Sequence, residues 1–375
     1  MSLLKIERAA LARFLPGLDE RLAAMPLMEL EQPGGAGIRA YRDAGGPALL
    51  IPSDFRGKGA TPLEAARIHR ALGSRSPSLA IAATMHNFSA ATLVEFSIFG
   101  NDDACAALLG AVAENNLLMA SGFAEGRSGT NILAATMEAR PTPDGGYVLS
   151  GSKKPCSLTH SMDLLTGSAM LMGGDRPRRA VVLVPADTPG IVRRPFWKSS
   201  VLTGAESDEL ILQDVVIPGD FLFLPQIEAE LDPVEVAGYL WFQLLLSASY
   251  LGAATALVER VFVQGKGNAS EREHLGIEVE GAMSALEGVA CAMRMEHARD
   301  DLLPRALFVR YATQRAIERA AMAAAELLGG LAFVSSPEVP YLLAATRALA
   351  FHPPSRLSSA DALSGYLAGA RLAAV

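Results

Sequence analysis

Cysteine is scarce: three thiols, Cys105, Cys156 and Cys291, stand in 375 residues. An odd number at wide spacing makes neither a disulfide framework nor a zinc site. Basic runs are missing as well, and the net charge is −7. Nothing therefore points to nucleic acid or to an anionic membrane surface as a partner. No uninterrupted stretch approaches the roughly 20 apolar residues a membrane helix requires. The most apolar run, residues 239–257, is broken by Gln243, Ser247, Ser249 and Thr255 and reads as a buried bundle helix. The opening Met1-Ser2-Leu3-Leu4-Lys5-Ile6-Glu7-Arg8 alternates charge with apolar side chains and lacks the apolar core of a signal peptide. Internal repeats and low-complexity linkers are absent too. These absences lead to the expectation of a soluble, cytoplasmic protein.

What is present is a large apolar fraction. Half the residues are hydrophobic and 19% are charged, which suits extensive buried surface and an oligomer. A chain of 375 residues exceeds one ordinary core, so two or three domains are expected. Residues 1–118 read mainly as helix: Thr61 before Pro62 and Glu64 is a helix start, and Ser76-Pro77-Ser78 opens another. Another begins at Asn101-Asp102-Asp103 and runs through Ala113. Across residues 119–225, short Val, Ile and Leu runs alternate with Gly, Pro and Asp turns, the mark of a β-domain. From residue 226 to 375 the long Ala- and Leu-rich segments return with helical spacing, notably 305–328. The expected class is α+β, with a cleft between the three parts.

Residues 123–163 are the most informative segment. Glycines and hydroxyls come first, Glu125-Gly126-Arg127-Ser128-Gly129-Thr130, followed by a β-rich stretch and a turn at Pro143-Asp144-Gly145-Gly146. A second strand, Tyr147-Val148-Leu149-Ser150, runs into Gly151-Ser152-Lys153-Lys154. Two strands around such a turn make a hairpin. Small and hydroxyl-bearing residues on both flanks let the backbone approach a flat, polar-edged ligand.

The order of these residues resembles the middle domain of the acyl-CoA dehydrogenase superfamily. There a Thr-Glu-Pro-x-x-Gly-Ser-Asp segment precedes a Gly-x-Lys-x-Trp-Ile-Thr/Ser segment, and both cradle a flavin. Here Ala124-Glu125-Gly126-Arg127-Ser128-Gly129-Thr130-Asn131 and Gly151-Ser152-Lys153-Lys154-Pro155-Cys156-Ser157 take those places, with Ala124 for Thr and Pro155 for Trp. Leu50-Ile51-Pro52-Ser53-Asp54-Phe55-Arg56-Gly57-Lys58-Gly59 and the strand Glu209-Leu210-Ile211-Leu212-Gln213-Asp214-Val215-Val216-Ile217-Pro218 extend the likeness over nearly the whole length. It implies N-terminal helices, a central β-barrel and a C-terminal helical bundle that makes dimer or tetramer contacts. It carries flavin contacts onto Phe123, Ala124, Gly129, Thr130, Cys156 and Ser157. On residue chemistry alone, Ser157 could equally cap a turn, and Cys156 reads as a small apolar wall.

Arg272-Glu273-His274-Leu275-Gly276 is similar to the family's Arg-x-x-Phe-Gly, whose arginine reaches the diphosphate of an FAD in the neighbouring subunit. A guanidinium fork suits a diphosphate, while the flanking glutamates also fit a solvated turn. Glu326-Leu327-Leu328-Gly329-Gly330 is similar to Gln-x-x-Gly-Gly, the other element facing that FAD. A Gly pair after a long helix is equally an ordinary helix stop. Glu326 in place of Gln sets a carboxylate near a diphosphate, so the cofactor is FAD placed differently, or FMN.

The family's glutamate base removes a proton α to a thioester carbonyl, since a desolvated carboxylate titrates near neutrality. About two dozen residues after Gly329 stand Phe351-His352-Pro353-Pro354-Ser355, without a carboxylate; the second usual place, Tyr239-Leu240-Trp241-Phe242-Gln243-Leu244, has none either. The run Arg347-Ala348-Leu349-Ala350-Phe351-His352-Pro353-Pro354 is similar instead to the Arg…His-x-Pro run of the family's monooxygenase branch, which acts on sulfur, nitrogen or aromatic substrates. His352 is the first candidate acid or base and His86 the second, because imidazole titrates near the working pH. Either histidine can also be structural, and Glu230 and Glu235 are the remaining carboxylates. The leading expectation is dehydrogenation of an acyl thioester with FAD and an electron-transfer flavoprotein. The alternative is a two-component monooxygenase served by a flavin reductase, and the third reading is a subunit that has lost activity.

Overall fold

A computed structural model describes residues 3–100, 103–126, 135–224, 233–295 and 301–372. The chain opens with short helices, α1 (Lys5–Phe14), α2 (Leu18–Ala23), α3 (Leu27–Leu30) and α4 (Ala36–Asp43). Three longer ones come after them, α5 (Pro62–Arg75), α6 (Pro77–Gly100) and α7 (Asp103–Asn115). The start of α5 is written in its sequence. Thr61 Oγ1 accepts from the Glu64 backbone N–H, and the Glu64 carboxylate accepts from the Thr61 N–H at 2.9 Å. That capping box satisfies two otherwise orphaned donors. At α6 the Ser76 hydroxyl accepts from the Leu79 N–H at 3.1 Å.

Strands β1 (Met119–Gly122), β2 (Glu138–Pro141), β3 (Tyr147–Cys156), β4 (Leu164–Leu171), β5 (Arg178–Pro185), β6 (Ile191–Arg194), β7 (Asp208–Ile217) and β8 (Leu222–Phe223) form one mixed sheet. Its order is β6-β7-β3-β2-β4-β5-β8, with β1 parallel to β4, so the described pairings leave β6 and β8 as edges. The anticipated hairpin is β2–β3, with Glu138 opposite Ser150 and Pro141 opposite Tyr147. Thr142 N–H donates to Gly146 O at 2.9 Å, and Gly145 turns at φ 84°, a conformation that favours glycine.

The remaining helices are α8 (Pro233–Val263), α9 (Ala269–Met295), α10 (Leu302–Ser335), α11 (Glu338–Arg347) and α12 (Ala360–Leu367). By length and composition α8 could cross a membrane, yet its apolar window is wholly buried inside the protein. Leu244, Leu245, Leu246, Leu251 and Leu257 are each at most 1% exposed, and such burial contributes about 2 kcal/mol per leucine. Where α5 crosses α8 the backbones touch: a Cβ on Gly252 would lie 2.2 Å from Arg70 O, and one on Gly73 2.0 Å from Ser249 O. Only glycine fits that crossing. It sets how close α8 comes to the N-terminal helices, and α8 walls one side of the cavity between helices and sheet.

Candidate active site

A cavity of about 640 Å3 opens between the sheet, α6, α8 and the turn after α11. Its α6 wall is Ile81, Met85, Phe88, Thr92 and Phe96, one face of a helix repeating every three or four residues. The sheet contributes Phe123 and Ala124 after β1, and Pro155 and Ser157 at the end of β3. Glu235, Gly238, Tyr239 and Phe242 of α8 face them, and Phe351, His352 and Pro353 close the C-terminal side.

The two segments that carried the family likeness meet at the sheet wall. Lys153 is fully buried and its Nζ lies 2.7 Å from Glu125 Oε1 and 3.1 Å from Ser168 Oγ. Lys154 N–H donates to Ala124 O at 2.9 Å, and Ser121 bridges to Ser157. Glu125 also accepts from the N–H groups of Thr136 and Met137. Burial pushes its carboxyl upward, but the bonds from Lys153 and Thr136 outweigh that and hold it at about 2. Desolvation draws the Lys153 amine downward.

Ser157 Oγ lies 2.9 Å from Ser207 Oγ, and both line the cavity. Beside Ser207 in the chain, Glu206 accepts from the N–H groups of Gly34, His160 and Ser161. Cys156, expected on the cavity wall, points the other way. Strand alternation puts its neighbours Pro155 and Ser157 on the cavity face and its own thiol, 0% exposed, in the sheet core. There burial pushes the thiol up to about 12. Pro155 brings no indole to this wall, but Trp197 lines the cavity, its Nε1 donating to Val201 O at 2.8 Å.

The two candidate histidines part company. His86 lies on α6 but does not line the cavity. Its Nε2 is 2.9 Å from Pro47 O and its Nδ1 accepts from Met119 N–H at 3.0 Å, so both ring nitrogens join backbone segments. Burial, with a smaller effect of the Arg42 charge, lowers its pKa to about 4. The expectation that it acts as an acid or base is corrected: this ring fastens the Pro47 turn to β1.

His352 does line the cavity, with Nε2 2.8 Å from Tyr250 Oη. Burial first, and the Arg310 charge second, lower its pKa to about 3. Tyr250 has no other partner among the described residues, so its buried O–H must donate to Nε2. The ring proton then sits on Nδ1, which has no partner among the described residues, on a ring that lines the cavity. An aromatic chain surrounds it: ring centroids lie 5.6 Å apart for Phe88–Phe123, 5.2 Å for Phe88–Phe242 and 6.5 Å for Phe242–His352. Tyr239 stacks on Phe242 at 6.4 Å with its hydroxyl buried and unpartnered.

Arg179 and Glu235 are the charged groups of the lining, 3.1 Å apart. Glu235 is thus near the site but ion-paired, a poor free base. Glu230 lies outside the described residues, as do Gly129 and Thr130. Arg272 closes the turn between α8 and α9, donating to Lys266 O at 2.8 Å, Gly265 O at 2.9 Å and Gly267 O at 2.8 Å. Glu326 is exposed, and Gly329 breaks α10 with φ 86° and ψ 164° without ending it. None of Arg272, Glu326, Gly329 and Gly330 lines the cavity. With a rise of about 1.5 Å per residue, α8 carries the Arg272 turn roughly 30 Å from its cavity-lining end.

Sequence reasoning missed Tyr239, Phe242, Tyr250 and Ser207. One signal was available: Gln243, Ser247 and Tyr250 repeat at helical spacing within an otherwise apolar helix, and Gln243 and Tyr250 both face the turn bearing His352.

Comparison with known proteins is consistent with this geometry. No family model matches the chain. It is 43% identical over 377 residues to isobutylamine N-hydroxylase of Streptomyces viridifaciens, covering 99% of this chain and 100% of that protein. To dibenzothiophene monooxygenase of Rhodococcus erythropolis it is 26% identical over 210 residues, 54% of this chain and 49% of the other. Two solved structures share the fold: KijD3 in complex with FMN and an amino-keto sugar nucleotide (TM-score 0.84, 19% identity, 97% and 94% of the two chains), and FMN-bound TdsC from Paenibacillus sp. A11-2 (TM-score 0.79, 18% identity, 100% and 99%). The expected first reading, dehydrogenation of an acyl thioester, finds no support among these relatives, and its missing carboxylate base is the physical reason. The full-length likeness at 43% identity settles membership: this enzyme belongs to the flavin-dependent monooxygenase branch of the acyl-CoA dehydrogenase superfamily.

Proposed function

We propose that the protein hydroxylates the nitrogen of a small aliphatic primary amine, using oxygen and FMN reduced by a separate reductase. The carrying observation is the wall chemistry of the cavity. Apolar and aromatic side chains dominate it, and its lining charges among the described residues are already paired as Arg179–Glu235. Such a space disfavours an ammonium ion and favours the neutral amine, whose lone pair is the nucleophile. The name of the 43% identical relative, isobutylamine N-hydroxylase, supports the same substrate class.

The residues fit a flavin. Hydroxyls of Ser121, Ser157, Ser168 and Ser207 and the unpartnered Tyr239 hydroxyl sit among Phe123, Pro155 and Trp197, suited to a flat ring with a polar edge. Reduced flavin bound there supplies two electrons, so that one atom of oxygen enters the substrate N–H bond and the other leaves as water. FMN is preferred over the expected FAD because KijD3 and TdsC are FMN-bound and Arg272 is engaged by its own turn. Ser157 and Ser207 orient the ring edge. His352 holds a proton at Nδ1, on a ring that lines the cavity, and Tyr250 fixes that tautomer. The aromatic chain excludes water, which strengthens that hydrogen bond.

The test is direct. Protein, FMN, a flavin reductase and NADH in air are expected to convert isobutylamine to its N-hydroxylamine, detected by mass spectrometry. Turnover of an aromatic sulfide or indole with no reaction of any alkylamine would overturn the amine reading. Reduction of bound flavin by an acyl thioester would restore the dehydrogenase.

A further inference from the structure

The other buried cations among the described residues meet carboxylates. Arg70, 0% exposed, contacts Glu7 and Glu280 at 2.6 Å each, and Lys153 contacts Glu125. Arg310 on α10 is different. It is 1% exposed, and no carboxylate touches it among the described residues. Its Nη1 donates to Gln243 Oε1 at 2.6 Å and to Pro353 O at 3.0 Å, and its Nη2 to His352 O at 2.6 Å and Leu349 O at 3.2 Å. Nε has no partner. Burying a guanidinium without a counter-charge is costly, so a purely architectural role is a poor account of it.

Three of the four acceptors are main-chain oxygens of the single turn that carries His352. The turn continues from a short helical segment, Ala348–Phe351, whose C-terminal carbonyls carry partial negative charge, Leu349 O also accepting from the His352 N–H at 3.3 Å. We propose that Arg310 is the positioning residue of this site: its planar fork gathers the carbonyls of Leu349, His352 and Pro353 and so sets where the His352 ring enters the cavity. The inference rests on the reading that His352 acts on the substrate. Lysine could not replace the fork, since a single ammonium cannot gather three fixed carbonyls in one plane.

The surroundings fit the same role. Gln243 on α8 anchors the fork, and Tyr250, two turns further along α8, anchors the ring, so one helix references both ends of the histidine. After burial, the Arg310 charge is the second cause that keeps the ring neutral. The titratable groups around it are Tyr239 and Tyr250 from α8 and Tyr311 from α10; Tyr341 of α11, bonded to Glu31, lies behind Tyr250.

Histidine-selective 13C and 15N NMR of the flavin-free protein tests this, with His352→Ala identifying the signal among six histidines. In the unsubstituted protein His352 is expected as the neutral Nδ1–H tautomer, without titration from pH 8 to 5.5. In Arg310→Gln it is expected to show mixed tautomers and to titrate in that range, while amine kcat falls about tenfold to hundredfold and KM changes little. Unchanged His352 signals in folded Arg310→Gln overturn the proposal. If that variant does not fold, Arg310→Lys decides: mixed tautomers without charging support positioning, and an unchanged spectrum overturns it. Tyr311→Phe removes bonds to Pro354 O, Ser355 O and Ser359 Oγ on the same segment without touching the fork. It is expected to lower thermal stability and leave His352 unshifted; an equal shift there means general loosening and also overturns the proposal. Normal turnover by His352→Ala would sink the catalytic reading separately, leaving the NMR comparison to judge Arg310.

Discussion

His86 at the junction of α6 with β1 is fully buried and His352 after α11 is half-buried on the cavity wall, yet desolvation draws both pKa values down, to about 4 and about 3. By titration they look alike. They differ in what their ring nitrogens meet: Pro47 O and Met119 N–H for one, Tyr250 Oη for the other. A lowered histidine pKa therefore marks desolvation and says little about chemistry. What separates the two imidazoles is that one has both ring nitrogens on backbone groups and the other has a nitrogen with no partner among the described residues.

Replacing each histidine by alanine is the sharpest way to break that comparison. His352→Ala is expected to lower kcat by at least about 100-fold, the scale of acid–base contributions, with flavin still bound. His86→Ala is expected to keep most activity per folded molecule but to cost about 2–4 kcal/mol of stability, because it orphans a buried carbonyl and a buried N–H. Urea unfolding beside steady-state kinetics reads both, and equal kinetic losses would erase the distinction.

Acid stability sharpens it next. His69, fully buried against Ser249, Thr84 and Asn87, is lowered to about 3. Below about pH 6.5 the unfolded chain takes up protons at His69, His86 and His352 that the folded chain refuses. Stability is thus present above that pH and lost as pH falls toward 4, with a slope of about 1.4 kcal/mol per pH unit from each. His86→Phe is expected to lower that slope by about a third; an unaltered slope would mean His86 is charged when folded.

Two smaller effects concern the sheet wall and the bundle. Ser157→Ala is expected to shift the bound flavin spectrum and weaken flavin about fivefold, the loss of one hydrogen bond. No change in either quantity removes Ser157 from the flavin edge. Arg272→Ala is expected to lower stability by about 1 kcal/mol while the FMN dissociation constant holds; lost flavin binding would return the arginine to a phosphate.

The sheet wall was the legible half of the site. Ser157, Phe123 and Ala124 stand in segments whose turn and hydroxyl pattern already pointed to a ligand edge, and the β2–β3 hairpin lies where its Pro-Asp-Gly-Gly turn put it. Cys156 was misplaced by one residue of alternation, because a bulge in the pairing of β3 with β7 between Lys153 and Cys156 sets which face each side chain takes. The helical wall was illegible in a different way. Tyr239, Tyr250 and Arg310 carry no local motif, and their roles exist only once α8 and α10 bracket the His352 turn.

Sequence alone determined the features set by local chemistry: the caps of α5 and α6, the hairpin, the buried character of α8 and the absence of a glutamate base. Those depend on residues a few positions apart, where hydrogen-bond geometry and side-chain periodicity act directly. Tertiary structure decided which histidine faces the cavity, which proton it holds and which cation stands behind it. Those depend on the α5–α8 crossing at Gly73 and Gly252 and on the carbonyls Arg310 gathers, contacts between segments far apart in the chain whose meeting no local spacing encodes.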